Sequence, residues 1–279
     1  MSAATTTPAP AGADERRGRP LGLSGARVLR SEWTKLTSLR STRIALAIAV
    51  ATLLAFAALG AWLTVRHWTA ADEASRASFD AAQRTLVGVL LAQLVLGVLG
   101  VLAISGEYAT GMIRASFAAV PRRLPVLWAK LAVYAALTFA LALVTCAAAY
   151  ALGNAILAGK QLDAGLGQAG VARAIVGAAA YLTVVGLLGL ALGAITRSTA
   201  AGIAALVALL LVLPALVSLL PASPGQTIGK FLPSSAGLRV IALHHDPTAL
   251  SAGAGFAVLC GYALVAIAVS AIMLTRRDV

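Results

Sequence analysis

Ionisable side chains are rare in this sequence: charged residues make up 11% of its 279 positions, against 60% hydrophobic. A soluble domain carries about a quarter charged residues. Surface-to-volume scaling would also force a chain of this size to show water much of what it is made of. So little charge excludes a water-soluble globule and points to lipid as the solvent. Cysteine is almost absent as well. Cys146 and Cys260 each lie inside an apolar stretch, without the spacing of a metal site or a disulfide framework. Both are expected to be small buried hydrophobes.

Catalytic signatures are missing too. No phosphate-binding Gly-x-x-x-x-Gly-Lys-Ser/Thr loop occurs; Gly159-Lys160 and Gly229-Lys230 lack the following hydroxyl and the preceding glycine. There is no His-Glu-x-x-His, no Gly-x-Ser-x-Gly and no Asp-rich motif of the kind that lipid-headgroup transferases use. His244, His245 and Asp246 form the one compact group of metal-ligand types. In a long loop such a group is expected to be a solvated turn, so no metal is expected.

What the sequence does have is long uncharged runs. Six of them, at about 44–65, 85–106, 131–153, 174–196, 198–220 and 252–274, are bounded by Arg, Lys, Glu or Pro. A 22-residue run reaches about 33 Å as a helix, enough for a hydrocarbon core of about 30 Å. The expected fold is therefore an all-α integral membrane protein with six transmembrane helices over residues 44–279. Residues 1–23 are rich in Ala, Thr, Pro and Gly and lack an apolar period. They read as a disordered cytoplasmic tail rather than a signal peptide.

The formal charge of +12 suggests nucleic acid at first, but its placement says otherwise. With the N-terminus inside, the cytoplasmic face holds eight Lys and Arg before residue 44, four in 106–130, and Arg197, Arg276 and Arg277. That makes fifteen, against seven on the other face, while the ten acids divide equally. Lys and Arg collect in cytoplasmic loops. Both termini are thus expected in the cytoplasm, with lipid rather than nucleic acid as the partner of the basic excess.

Polar groups inside the spans are few: Gln93, Thr138, Thr145, Asn154 and Thr183 stand out. No charge lies at mid-span, where it would cost about 2.5–3.5 kcal/mol and is usually kept for function. This argues against a proton relay or an ion-coupled carrier. Gln93 can serve a pathway or helix packing, and packing is the commoner use. Gly189 and Gly193 form a small-xxx-small pair suited to a close helix crossing.

Two amphipathic segments flank the spans. In 24–43, Leu29, Trp33 and Leu36 fall at i, i+4 and i+7 beside Arg27, Arg30, Glu32, Lys35 and Arg40, behind a Ser24 cap. This predicts an interfacial helix lying flat among headgroups. Between spans two and three, Glu107 precedes Gly111, Ile113, Arg114, Phe117 and Val120; Ile113, Phe117 and Val120 share one face. Pro121 ends that short cytoplasmic helix, and Arg122 and Arg123 follow. Its apolar edge suits either a lipid surface or a partner's groove.

These segments resemble those of ABC-2 type transporter permeases, in particular the six-span bacterial kind. The run from Ser31-Glu32-Trp33-Thr34-Lys35-Leu36 to Ser41-Thr42-Arg43 is similar to that family's interfacial helix. Ser105-Gly106-Glu107-Tyr108-Ala109-Thr110-Gly111, followed by Pro121-Arg122-Arg123, is similar to its connection between spans two and three. Leu232-Pro233-Ser234-Ser235-Ala236-Gly237 resembles its outer segment before the last span. The likeness covers nearly all of 26–279. It implies the permease subunit of an exporter in a bacterial cytoplasmic membrane, paired with a second permease copy or homologue. ATP and Mg would belong to a separate cytoplasmic ABC ATPase, with no cofactor in this chain. It further implies that Glu107, Gly111, Ile113, Arg114, Phe117, Pro121, Arg122 and Arg123 carry ATPase coupling, braced by Glu32, Trp33, Lys35, Leu36 and Arg40.

Two other classes compete with this reading. An embedded enzyme should gather ionisable groups at one membrane face, and only the 244–246 group qualifies. A channel should line several spans with polar faces, and these spans are nearly all apolar.

Overall fold

Backbone amides in hydrocarbon have no water to bond, so a long apolar run can cross a bilayer only with its hydrogen bonds closed internally. The computed structural model describes residues 25–69, 76, 79–109, 123–165, 167–244 and 249–276, and every regular element among them is helical. The chain opens with α1 (Gly25–Ser38) and α2 (Arg40–His67). Next come a single-turn helix α3 (Ala81–Thr85), α4 (Val89–Ala109) and α5 (Arg123–Leu157). Then follow α6 (Val171–Thr196), α7 (Thr199–Ser218), the short α8 (Ala222–Gly229) and α9 (Pro233–Gly237), and α10 (Ala252–Arg276). Among the described residues, α2, α4, α5, α6, α7 and α10 are long and apolar enough to cross a membrane.

The spans match the uncharged runs, but local chemistry moves their ends. Thr85 belongs to α3 and not to the second span. Asp80 caps α3, its Oδ1 accepting from the Gln83 N–H at 3.0 Å, and a turn at Leu86–Gly88 intervenes before α4. Gly88 lies against α2 so closely that a Cβ would come within 2.9 Å of the Leu53 Cα. The first span starts earlier than expected. Leu39 is extended (φ −69°, ψ 126°) and separates α1 from α2, so Arg40 opens the span instead of closing the interfacial helix. Within α7, residues Ala208–Val212 widen into a π-turn just before Pro214, and the Leu213 N–H donates to Ala208 C=O, five residues back. Proline removes a donor and crowds the carbonyl four residues earlier, and a π-turn relieves that conflict without ending the helix.

α6 is the most enclosed span, packed by α4, α5, α7 and α10. Its crossing with α4 is made of glycine. A Cβ on Gly100 would strike the Gly186 carbonyl, and one on Gly189 would strike the Gly97 carbonyl. Gly193, the second member of the small-xxx-small pair, abuts the Val101 carbonyl in the same way.

The spans alternate in direction, which gives the bundle two unlike ends. At the end away from α1, Tyr150 and Asn154 hold Ala164, and Arg173 donates to Ala242 C=O at 2.6 Å. Arg76 donates to the Lys160 and Gln161 carbonyls, both at 3.0 Å, and Trp68 meets Phe79 edge-on at 5.4 Å. These bonds close the loops over that end.

Candidate functional site

The α1 end is organised around four charges. α1 turns Val28, Glu32, Lys35 and Leu36 toward the bundle, a stripe at i, i+4, i+7 and i+8, and buries Glu32 and Leu36 fully. Leu29 and Trp33, which the periodicity groups with Leu36, are exposed at 41% and 47%. The inward face of this helix is thus partly charged and its outward face partly apolar.

Glu32 is neutralised by residues far along the chain. Lys130, on the second turn of α5 and only 2% exposed, places its Nζ 2.6 Å from Glu32 Oε2 and 2.9 Å from Glu107 Oε1. Lys35 completes the array, 2.7 Å from Glu32 Oε1 and 3.3 Å from Glu107 Oε1. Two carboxylates and two ammonium groups balance, which is the condition for keeping charge out of water. Burial alone would raise the Glu32 carboxyl, but Lys130 and Lys35 hold it below the usual carboxylate range. Burial would likewise lower Lys35, but its bonds to Glu32 and Glu107 keep it above the usual amine value. Both groups therefore stay ionised at neutral pH.

Two further contacts fix the last turn of α4. Ser105 Oγ and Thr199 Oγ1 share a hydrogen bond at 2.9 Å, which ties α4 to the start of α7. The Arg197 guanidinium lies 5.4 Å from the centroid of the Tyr108 ring, a cation–π distance. Arg197 itself closes α6 in a left-handed conformation (φ 52°), unusual for a residue with a side chain. The turn bearing Glu107 is thus gripped by α1, α5 and the α6–α7 connection.

The other predicted site residues divide into two groups. Gly111, Ile113, Arg114, Phe117, Pro121 and Arg122 lie outside the described residues, as do Ser24, the 1–23 tail, His245 and Asp246. Arg123 is the first residue of α5, and Arg40 is exposed at the start of α2. The structure therefore describes both roots of the 110–122 connection, α4 with Glu107 and α5 with Lys130. Lys130 was missed by sequence reasoning. The available signal was a lone cation followed by an unbroken apolar run, which marks a span boundary equally well.

Gln93 sits between helices. It accepts a hydrogen bond from the Tyr181 hydroxyl of α6, and its own amide donates to Leu90 C=O at 2.9 Å. Thr138, Thr145 and Thr183 donate to the carbonyls four residues back, at 2.7–2.8 Å. Such hydroxyls satisfy themselves inside their own helix. Among the described residues no group of three His, Cys, Asp or Glu could hold a metal. The arrangement at the α1 end holds α1, α4 and α5 together through paired charges.

The sequence pattern of ABC-2 family transporter proteins matches residues 28–223, about 70% of the chain, and takes in all four charges of the array. This chain belongs to the ABC-2 transporter family. It is a multi-pass membrane protein and the membrane-spanning permease subunit of an ABC transporter. The matched region ends before Leu232–Gly237 and before α10, so the permease resembles its family over the first five spans. No curated protein matches the chain.

Proposed function

We propose that this permease exports an apolar substrate using ATP hydrolysed by a separate cytoplasmic ABC ATPase, and that the α1 end of the bundle faces that ATPase. Both termini then lie in the cytoplasm, a placement that the Lys and Arg asymmetry supports. The observation that carries this reading is the four-charge array within a chain of this family. It joins α1, α4 and α5 at the two roots of the 110–122 connection. A displacement delivered to that connection would enter α4 and α5 together, and α1 with them. Within 110–122, Gly111, Ile113, Arg114, Phe117, Pro121 and Arg122 are the residues offered to the ATPase, with Arg123 at the root of α5. Glu107 Oε2 makes no hydrogen bond among the described residues and remains able to accept one from a cation of this segment or of the ATPase. Coupling requires the ATPase to bind one permease conformation more tightly than another. A second permease copy, or a homologue, completes the transporter. Its apolar cargo is inferred from spans whose polar groups are taken up internally.

Co-expression with an ABC ATPase encoded beside this gene tests the reading. Copurification is expected, as is stimulation of that ATPase by the permease. Glu107→Ala and Phe117→Asp are each expected to abolish transport while membrane insertion is retained. A permease that neither copurifies with the ATPase nor changes its activity would overturn the proposal.

A further inference from the structure

The end away from α1 carries a half-open groove of about 1220 Å³ between α2, the α3–α4 turn and the segment 235–242. Its walls are unlike at the two extremities. Along α2 and at the start of α4 they are apolar, with the half-buried Phe56 and the exposed Leu63 and Leu90. Gly60 lets α2 lie against the α3–α4 turn, where a Cβ would come within 3.0 Å of the Arg84 carbonyl. At the mouth the groove is lined by His67, Arg84 and Arg239.

Its dimensions follow from α2. Phe56 and His67 are eleven residues apart on that helix, about 16 Å along its axis. This is close to half of a hydrocarbon core of about 30 Å, the depth of one leaflet. The mouth also bears the marks of headgroup level. Trp62 is exposed with Arg66 over its ring at 5.1 Å, and Trp68 lies under Arg76 at 5.9 Å.

Charge selects the occupant. Asp80 also lines the groove, but both of its carboxylate oxygens already accept N–H groups: from the Gln83 backbone, from Leu243 at 2.7 Å and from the Gln83 amide at 3.2 Å. The Arg84 side chain is exposed and makes no hydrogen bond or ion pair among the described residues. We propose that this groove binds an anionic phospholipid of the surrounding leaflet, one acyl chain along Phe56–Leu63 of α2 and the phosphate at Arg84. The site is independent of the ATPase reading, since it uses the opposite end of the bundle.

Native mass spectrometry of the full-length permease tests this, with phosphatidylglycerol and phosphatidylcholine of identical chains as probes. Wild type is expected to retain phosphatidylglycerol preferentially. Arg84→Glu should weaken that retention by about fivefold or more, the effect of one arginine at a membrane surface. Leu63→Trp, which fills the groove, should lower retention of both lipids. Arg66→Glu, on the same turn of α2 but outside the groove lining, should lower the preference by less than Arg84→Glu, since it alters only the surface charge near the mouth. Equal retention of the two lipids by wild type would overturn the proposal. So would an unchanged Arg84→Glu or Leu63→Trp variant, or a loss in Arg66→Glu as large as in Arg84→Glu.

Discussion

Lys130 Nζ lies 2.6 Å from Glu32 Oε2 across 98 residues of sequence, and both side chains are buried. Removing Lys130 leaves the Glu32 and Glu107 carboxylates, both buried, short of a counter-charge. Lys130→Met is therefore expected to destabilise the permease by about 3–5 kcal/mol, the usual cost of breaking a buried pair from one side. Adding Glu107→Gln to Lys130→Met removes a stranded carboxylate and should recover part of the loss. Thermal unfolding of the two variants in the same detergent checks both statements.

The same array sets a pH window. Glu32 has a folded pKa below its ordinary value of 4.5, so its contribution is complete above that value and lost as pH falls through the lower folded one. Lys35 is raised above its ordinary 10.5, so its contribution is complete below that value and lost as pH rises through the higher folded one. The melting advantage of wild type over Glu32→Gln should be constant at neutral pH and close on the acid side below about 4.5. Against Lys35→Met it should close on the alkaline side, and also at acid pH, where Glu32 loses the charge that Lys35 pairs with. A wild-type advantage over Glu32→Gln that persisted at acid pH would contradict the ion-pair assignment.

Gly189→Ala places a methyl on the Gly97 carbonyl, where backbone and not a flexible side chain must give way. A loss of about 1–3 kcal/mol is expected, as for overpacking elsewhere. Gly261→Ala in α10 meets nothing within 4 Å and should stabilise by up to about 1 kcal/mol through helix propensity. Melting temperatures of the two variants should move in opposite directions.

Tyr181→Phe removes the hydroxyl that Gln93 Oε1 accepts from. Hydrogen bonds between membrane helices average about 0.6 kcal/mol, so a loss of about that size is expected. Unfolding measurements on Tyr181→Phe and Gln93→Leu, alone and together, would show non-additive losses if the two groups depend on each other.

The membrane architecture was legible because an uncharged run long enough to span is a signal contained within about twenty residues. The helix ends were less legible. They depend on contacts such as the Asp80 cap, or the fit of Gly88 against Leu53, and these involve few residues or distant ones. Glu107 stood out through its motif, whereas Lys130 did not. A charge that is neutralised 98 residues away leaves no local trace. For α1 the apolar period correctly marked a helix but did not separate Leu36, which packs on the bundle, from the exposed Leu29 and Trp33. Hydrophobicity does not distinguish a side chain turned to lipid from one turned to protein, so Trp33 was grouped with Leu36 although only Leu36 is buried.

The glycine-built contact of α4 with α6 limits how this permease can change shape. Two backbones that touch without side chains between them have no slack in which to slide or rotate against each other. They form a single stiff spindle through the middle of the bundle. If the spindle moves as one piece, α2, α7 and α10, the least enclosed spans, are the ones expected to swing about it as a substrate path opens.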